Sequence, residues 1–324
     1  MTPGAHLHMH LPDFDIGGTE QWTLAMAAAL ADLPYRRTIS AEARLDAAAA
    51  TAFRDWEPIP IRSIPSCAYV IAPCDIARLV AQSRRVIAVA HGMNDYYKSL
   101  FAEGGYHRAV AVSEIAKAAF PRNVEVSVLH NGVDLERLRT SRSGAEVRRS
   151  LAISEQSVVI GHVGRTSPGK NPLMAARAAG RVAAGVALYI GPNPSPELRL
   201  DARALADCRF VEAGPAQSIA DCYAAMDICL VGSRTEGFSL VTAEAWAALV
   251  PVVATPVGIS LEHPELVVRI PLDPDDQALE NALRRAMDVQ RRPDLQRAQA
   301  LVRARYSLDA MGARWRDFLG DVIE

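Results

Sequence analysis

The sequence carries almost no net charge, because 35 lysines and arginines nearly balance 37 aspartates and glutamates, for a formal net charge of -2. Proteins that bind nucleic acid or anionic membranes through a broad electrostatic field carry a clear excess of basic residues. We therefore expect no nucleic-acid partner for this chain. Any phosphate that the chain recognises must be held by a few placed side chains.

Cysteine is also scarce, with five residues that are scattered, odd in number and without a CxxC pair. This usage is typical of reduced thiols in a cytosolic compartment. The N-terminus has no basic segment followed by an apolar one, so no signal peptide is predicted. These absences predict a cytoplasmic protein, and attachment to the inner face of a membrane stays open.

A long uncharged hydrophobic run is lacking too. The segment from 239 to 261 has a single charged side chain, Glu244, and is long enough to imitate a membrane span. It also contains Pro251 and Pro256, and it divides into a helical pattern, SLVTAEAWAAL, and a buried-strand pattern, VPVVATP. No transmembrane segment is predicted.

What the chain does contain is two series of short apolar runs that alternate with helical patterns. The 324 residues suffice for two domains of about 150 residues each. The alternation predicts an α/β protein with two doubly wound, Rossmann-like parallel sheets. We predict a first domain over 1–140, a second over 141–305, and a helix over 306–324 that reaches back to the first domain.

A glycine-rich turn with two cations follows the first strand of the second series. Gly164 to Lys170 satisfies G-x-x-x-x-G-K, the pattern of a phosphate-binding loop in NTPases. That loop needs Ser or Thr after the lysine to bind magnesium, whereas Asn171 stands here. An NTPase is therefore disfavoured. Arg165 and Lys170 beside a helix start still suit a diphosphate, with a solvated loop as the alternative.

Two glutamates eight positions apart form the most informative spacing. Glu236 precedes Gly237 at the end of the strand ICLVGS, where a ligand can approach the backbone closely. Glu244 lies one turn into the next helix among apolar residues, and the hydroxyls of a ribose would satisfy its carboxylate. The alternatives are a helix-capping role for Glu236, and for Glu244 an ion pair with Arg234 or a side chain that reaches water.

These segments resemble the family 4 retaining glycosyltransferases. Glu236 and Glu244 match the E-x7-E motif of that family, GRTSPGKN matches its diphosphate loop, and HNGVD and AVSEIAKAAF match segments of its first domain. The resemblance implies the GT-B architecture, two Rossmann-like domains that face each other across a cleft. It also implies transfer of a sugar from a UDP- or GDP-type nucleoside-diphosphate sugar, with retention of anomeric configuration.

The same resemblance assigns roles to individual residues. Arg165 and Lys170 hold the leaving diphosphate, Glu236 the donor sugar, and His91 lies near the anomeric centre, and these four are the predicted catalytic residues. Glu244 holds the ribose. The full set of predicted donor-binding residues is Gly17, Gly18, Gly164, Arg165, Lys170, Asn171, Glu236, Gly237, Phe238, Ser239, Leu240 and Glu244.

No metal site or cofactor is predicted, apart from the nucleotide sugar as co-substrate. Two cations with helix-end amides suffice to stabilise the leaving group. His6, His8 and His10 share one face of the first strand. Without an acidic or cysteine cluster beside them, we favour sheet packing or acceptor contact over metal binding.

The chain also departs from the family pattern. Leu249 replaces the usual glycine before PVVAT, the turn after GVALYIG contains two prolines, the loop after PVG lacks the expected acid, and the first domain is short. The acceptor class is therefore open among glycans, lipid-linked and small molecules. A GT-B epimerase or phosphorylase, and an inactive partner subunit that only binds a nucleotide sugar, remain alternatives.

Overall fold

The computed structural model describes residues 5–11, 18–41, 51, 53–191, 194–211 and 218–323. The chain divides into two compact units. Unit 1 comprises Met1–Gly132, Glu236–Phe238 and Arg305–Glu324, and unit 2 comprises Val133–Thr235 and Ser239–Ala304.

Thirteen strands occur in the described residues. In chain order they are β1 His6–Leu11, β2 Arg36–Ala41, β3 Glu57–Pro58, β4 Tyr69–Ala72, β5 Val86–Ala90, β6 Arg108–Ala111, β7 Val126–Val128, β8 Val158–Val163, β9 Gly185–Ile190, β10 Asp207–Val211, β11 Ile228–Val231, β12 Val252–Ala254 and β13 Val268–Arg269.

The described α-helices connect these strands. In chain order they are α1 Gly18–Ala29, α2 Ile76–Val80, α3 Asp95–Ala102, α4 Gly144–Ser150, α5 Leu173–Ala179, α6 Pro196–Leu205, α7 Ile219–Ala225, α8 Leu240–Ala247, α9 Ile259–Glu262, α10 Asp276–Ala286, α11 Arg292–Arg305 and α12 Leu308–Ile323.

Each unit is built on a parallel sheet whose strand order reverses once. In unit 1 the described strands run β3-β2-β1-β4-β5-β6-β7, and in unit 2 they run β10-β9-β8-β11-β12-β13. The central strands are apolar and buried, as parallel strands covered on both faces must be. The prediction of two doubly wound, Rossmann-like domains is confirmed.

The division between the units falls between Gly132 and Val133, before the boundary at residue 140 that the sequence suggested. Local contacts explain this position. Gly132 packs so tightly on α12 that a Cβ there would lie 2.8 Å from the Cα of Leu308. Beyond it, Thr140 and Arg142 both bond to Asp221 on α7, which ties the segment 133–142 to unit 2.

Helix α12 packs inside unit 1 against α1. The rings of Trp22 and Trp315 lie 6.0 Å apart, and the Arg316 guanidinium donates a hydrogen bond of 2.9 Å to the carbonyl oxygen of Ala29. The apolar spacing of the C-terminal segment thus corresponds to a face that unit 1 buries. Among the helices of the described ranges, none combines the length and the hydropathy needed to cross a bilayer.

Acid is expected to destabilise unit 1 as the pH falls from about 6.5 to about 3. Burial lowers the pKa of His8 from 6.5 to about 3, so the folded state binds fewer protons than the unfolded state in that interval. Stability is therefore fully present above pH 6.5 and declines below it. Urea unfolding followed by tryptophan fluorescence at a series of pH values measures this slope.

His8→Gln provides the comparison, because glutamine cannot gain a proton. The variant should show a shallower dependence of unfolding free energy on pH between about 6.5 and 3 than the unsubstituted protein. Equal slopes would mean that His8 titrates alike in the folded and unfolded states.

Candidate functional site

The strand order of unit 2 reverses between β8 and β11. From β8 the chain adds β9 and β10 on one side, then returns to place β11, β12 and β13 on the other. Open α/β sheets bind ligands beyond the carboxyl ends of the strands at such a point. The loop after β8 carries Arg165 and Lys170, and the loop after β11 leads to the Glu236 and Glu244 motif. Unit 2 therefore presents its predicted residues at the expected edge.

The turn after β8 has a defined backbone. Gly164 has a φ of +118°, a 3-10 turn spans Pro168–Lys170, and Asn171 follows in the left-handed region with a φ of 49°. A Cβ at Gly191, in the turn after β9, would overlap the carbonyl oxygen of Gly164. The turn leaves Arg165 exposed and Lys170 half-buried. Its glycines thus serve a tight path that places two cations at the edge of the sheet.

The loops after β8 and β11 are joined directly. The backbone amide of Arg234 donates a hydrogen bond of 2.8 Å to the carbonyl oxygen of Gly169. The Arg234 side chain pairs with Asp273 at 2.7 Å. Arg234 is thus bound elsewhere, and the alternative that it is the ion-pair partner of Glu244 is wrong.

The carboxylate of Glu244 is half-buried on α8 and is held by a tyrosine. The hydroxyl of Tyr223, a fully buried residue of α7, donates a hydrogen bond of 2.8 Å to Oε2 of Glu244. Burial raises the pKa of Glu244, while the Tyr223 hydrogen bond and the charge of Arg137 oppose that rise. Tyr223 is the one hydrogen-bond partner of this carboxylate among the described residues. Oε1 keeps the capacity to accept from a ligand.

Sequence reasoning missed Tyr223. The residue precedes Glu244 by 21 positions and belongs to a different helix, so no periodicity connects the two. We expected ligand hydroxyls alone to satisfy Glu244, whereas the fold itself supplies one of the donors. A tyrosine flanked by Cys222 and two alanines was the available signal, since a phenol that is buried needs a hydrogen-bond partner.

The start of α8 is stabilised locally. Ser239 adopts the left-handed region with a φ of 73°, and its hydroxyl lies 2.8 Å from the hydroxyl of Thr242. Leu240 is the first residue of the helix. Of these two predicted donor-binding residues, Ser239 thus already uses its side-chain hydroxyl inside unit 2.

The segment Glu236–Phe238 belongs to unit 1 and lies at the end of β5. The hydroxyl of Ser113 donates a hydrogen bond to the carbonyl oxygen of Gly237. A Cβ at Gly237 would overlap the carbonyl oxygen of His91, so only glycine fits there. The ring of Phe238 packs at 5.3 Å from that of Tyr306. Unit 1 therefore brings together His91 and the glycine of the predicted sugar-binding loop.

His91 follows β5 and is neutral. Its Nε2 atom is buried and has no hydrogen-bond partner within the described residues. The ring packs edge-on against Trp22 with centroids 4.5 Å apart. Burial lowers the pKa of His91 to about 3. The imidazole can therefore donate or accept a hydrogen bond at neutral pH, but it carries no charge.

The predicted N-terminal glycine loop is described only in part. Gly18 begins α1, the helix that carries Trp22. Gly17 lies outside the described residues. No group of three or more histidine, cysteine, aspartate or glutamate side chains in the described ranges is arranged to hold a metal ion.

Leu249→Gly is expected to stabilise the protein by about 0.5–1 kcal/mol. Leu249 is the second residue after α8 and has a φ of 58°, in the region that glycine adopts at helix ends. The Val250 amide donates to the carbonyl of Ala245 and the Leu249 amide to that of Trp246, which together form a Schellman motif. Urea unfolding of the variant measures the gain.

The matched control is Leu200→Gly. Leu200 is also an exposed leucine, but it lies inside α6, where glycine costs about 1 kcal/mol. A loss of stability in both variants would show that the backbone at Leu249 is not strained.

Comparison with known proteins finds a family model that matches part of the chain. Residues 157–288 match the model described as Glycosyl transferases group 1. The D-inositol 3-phosphate glycosyltransferase of Kribbella flavida is 35% identical over 151 residues, which cover 41% of this chain and 35% of the relative. A second such enzyme, from Catenulispora acidiphila, is 37% identical over 150 residues. The chain thus spans about a third of the length of these curated relatives.

Solved structures share the fold over nearly the whole chain. HepE of Anabaena in complex with UDP-glucose has a TM-score of 0.78 at 19% identity and covers 98% of this chain and 100% of its own. A glycosyltransferase from Rickettsia africae has a TM-score of 0.77 at 14% identity, with 99% of both chains covered. The architecture is therefore GT-B. Over residues 157–288, the chain is similar to the group 1 glycosyl transferases.

Proposed function

We propose that the protein is a retaining glycosyltransferase that transfers a sugar from a nucleoside-diphosphate sugar, with the nucleotide held by unit 2. One observation carries this proposal. At the reversal point of the unit 2 sheet, a basic turn is bonded to the loop that leads to Glu244, through the Arg234 amide and the Gly169 carbonyl. A diphosphate at Arg165 and Lys170 and a ribose at Glu244 suit that arrangement.

The reaction breaks the bond between the anomeric carbon and the diphosphate oxygen. Positive charge grows on the sugar ring while negative charge grows on the leaving diphosphate, so the protein must mainly stabilise that leaving group. Arg165 and Lys170 do so electrostatically, and one well-placed donor of this kind is worth about 10²–10³ in rate. Two cations make a divalent metal unnecessary, and a phosphate oxygen accepts the proton of the acceptor hydroxyl.

The donor sugar is assigned to the segment 236–238. The Glu236 carboxylate and the amides of Gly237 and Phe238 bind the sugar hydroxyls, as the family resemblance implies. His91 lies near the anomeric carbon as a neutral hydrogen-bonding group. Its low pKa supports this role, because a charged imidazole would oppose the positive charge that develops on the sugar.

UDP is the favoured nucleotide. HepE, which shares the fold, forms complexes with UDP and with UDP-glucose. The test is a thermal-shift panel of UDP, GDP, ADP and TDP, each with and without magnesium. A nucleoside diphosphate that binds the folded state but not the unfolded state stabilises the protein by RT ln(1 + [L]/Kd), so the melting temperature rises with ligand concentration. We expect UDP to give the largest shift, with no dependence on magnesium.

Mass spectrometry of products from labelled UDP- and GDP-sugars then tests transfer itself. A melting shift without transfer to any acceptor would favour a nucleotide-sugar-binding subunit over an enzyme. Hydrolysis to free sugar that no acceptor suppresses would contradict the transferase assignment. If no nucleoside diphosphate changes the melting temperature, the donor site is wrong.

A further inference from the structure

Five polar side chains of unit 1 form a continuous hydrogen-bonded chain along the sheet, and the last of them lies beside the carboxylate of Asp75. In parallel register, His8 stands beside Thr38 and His10 beside Ser40. The hydroxyl oxygen of Thr38 lies 2.7 Å from His6 Nε2 and 2.8 Å from His8 Nδ1. The hydroxyl oxygen of Ser40 lies 2.8 Å from His8 Nε2 and 2.9 Å from His10 Nδ1. His10 Nε2 then faces Asp75 Oδ2 at 3.4 Å. The chain thus leads from the sheet interior to one carboxylate.

All three histidines are neutral in this environment. His8 and His10 are fully buried, and burial is the largest of the effects that lower the pKa of the three imidazole rings. The charge of Arg36 lowers the pKa of His6 further, whereas the charge of Glu57 raises it. The charge of Asp75 raises the pKa of His10, whereas the charge of Arg78 lowers it.

Neutral rings permit only two complete proton patterns. Each hydroxyl has one proton and each neutral imidazole has one N–H, so every link fixes the next. Either all three rings carry the proton on Nε2 or all three carry it on Nδ1. In the second pattern the lone pair of His10 Nε2 would face the lone pairs of Asp75. An ionised Asp75 therefore selects Nε2–H throughout.

Asp75 stands where a ligand site of unit 1 is expected. It follows β4, and the strand order of unit 1 reverses between β1 and β4. Its backbone has a φ of 52°, a strained conformation for a residue other than glycine, and its carboxylate does not cap α2. The side chain is 28% exposed, while Oδ2 is buried with no hydrogen-bond partner among the described residues.

We propose that Asp75 is a ligand-binding residue that accepts a hydrogen bond from a hydroxyl group of a sugar or cyclitol. The histidines and hydroxyls behind it hold the carboxylate in place. The choice of ligand class rests on the proposed function, whereas the proton pattern does not. One oxygen lies 3.4 Å from His10 Nε2, and the partly exposed side chain belongs to the loop that follows the carboxyl end of β4.

The proton pattern is tested by long-range ¹H–¹⁵N NMR on protein labelled with ¹⁵N-histidine. Single His6→Gln, His8→Gln and His10→Gln variants assign the rings. We expect Nε2–H on all three. In Asp75→Asn the amide can either accept from or donate to His10 Nε2, so Nδ1–H should become populated beside Nε2–H on all three rings. A His10 proton on Nδ1 in the unsubstituted protein, or Nε2–H alone in Asp75→Asn, would overturn the inference.

Two variants control this measurement. Asp95→Asn removes an exposed carboxylate of α3 that pairs with Lys98, and it should leave the ring pattern unchanged. Ser40→Ala interrupts the chain between His8 and His10 without touching Asp75. It should leave His10 as Nε2–H while His6 and His8 become free to adopt either tautomer, and this keeps the test informative if Asp75→Asn folds poorly.

Ligand binding is tested by thermal shift with glucose, mannose, N-acetylglucosamine and myo-inositol, each with and without UDP. At least one should raise the melting temperature of the unsubstituted protein and of Asp95→Asn, with about tenfold weaker apparent affinity in Asp75→Asn. Comparison of UDP-glucose with UDP shows whether the sugar that Asp75 binds belongs to the donor or to the acceptor. A donor sugar at Asp75 makes Asp75→Asn weaken UDP-glucose but not UDP, and an acceptor sugar leaves both unchanged.

The outcomes separate this proposal from the proposed function. If UDP gives no shift but a sugar shift depends on Asp75, the donor site is wrong and the Asp75 site stands. If UDP binds but neither a free sugar nor UDP-glucose responds to Asp75→Asn, the Asp75 site is wrong and the donor site stands.

Discussion

Replacing Lys170 with alanine is expected to lower kcat/KM for sugar transfer by about 10²–10³. The lysine is half-buried in the turn after β8, at the reversal point of the unit 2 sheet. Its charge acts on the diphosphate as negative charge develops there, so the loss should appear in kcat as well as in KM. Steady-state kinetics with a UDP-sugar, combined with calorimetric titration of UDP and of inorganic pyrophosphate, measure both effects.

Lys170→Ala should weaken the binding of UDP and of pyrophosphate alike, because both ligands present phosphate oxygens. The control is Arg284→Ala, which removes an exposed cation that pairs with Glu280 on α10 of the same unit. It should leave kinetics and binding unchanged. Equal, small losses in both variants would mean that only the overall charge of unit 2 matters and that Lys170 is no special phosphate ligand.

Replacing Glu244 with glutamine is expected to stabilise the protein while it weakens UDP binding. Because burial raises the folded-state pKa of Glu244, the folded state binds this proton more tightly than the unfolded state. The unfolding free energy therefore falls as the pH rises from 4.5 through the raised pKa, and ionisation costs stability at pH 7. Glutamine removes that cost, about 1 kcal/mol or a few degrees in Tm.

The gain in stability of Glu244→Gln should depend on pH. Its loss of affinity should depend on the presence of a ribose in the ligand. Below pH 4.5 the unsubstituted carboxyl is protonated, so the difference in Tm between it and Glu244→Gln should vanish. At pH 7 the loss of a charge-assisted hydrogen bond to a ribose hydroxyl should weaken UDP about tenfold. Pyrophosphate, which has no ribose, should bind both proteins equally.

Tyr223→Phe supplies the matched comparison for Glu244→Gln. It removes the hydroxyl that bonds to Glu244 but keeps the carboxylate. The pKa of Glu244 should then rise further, and the protein should lose stability at pH 7. A Glu244→Gln variant less stable than the unsubstituted protein at pH 7, or one with weaker pyrophosphate binding, would contradict the assignment of Glu244 to a buried ribose contact.

The fold could be predicted because its signals are local. Buried parallel strands such as β5 and β11 are near-continuous apolar runs, and the glycine-rich turn after β8 follows directly from its composition. The sequence predicted that Gly237 lets a ligand approach the backbone, whereas in the structure the carbonyl oxygen of His91 occupies the space of its missing side chain. Apolar strands and glycine-rich turns depend mainly on the residues of one short segment of the sequence.

What could not be predicted depends on long-range pairing. Tyr223 and Glu244 meet only because α7 and α8 pack on the same sheet. The three histidines of β1 were recognised as sharing a face, but their partners Thr38 and Ser40 come from β2 and depend on strand register. A shift of one residue would have separated them. The junction near Gly132 likewise depends on its contact with α12.

The departure at Leu249 shows how a family pattern can break without breaking the structure. The family glycine is missing, yet the backbone keeps the left-handed conformation that glycine would favour, with a φ of 58°. The Schellman hydrogen bonds of α8 are intact. We therefore expect the leucine to cost stability at the helix end without removing the hydrogen bonds that end α8.

A crystal structure of the protein with UDP-glucose tests the central claim most directly. The account predicts that the diphosphate lies within hydrogen-bond distance of the Lys170 ammonium and the Arg165 guanidinium, with the ribose hydroxyls on the Glu244 carboxylate. A nucleotide bound away from the turn after β8, or a ribose that does not contact Glu244, would contradict it.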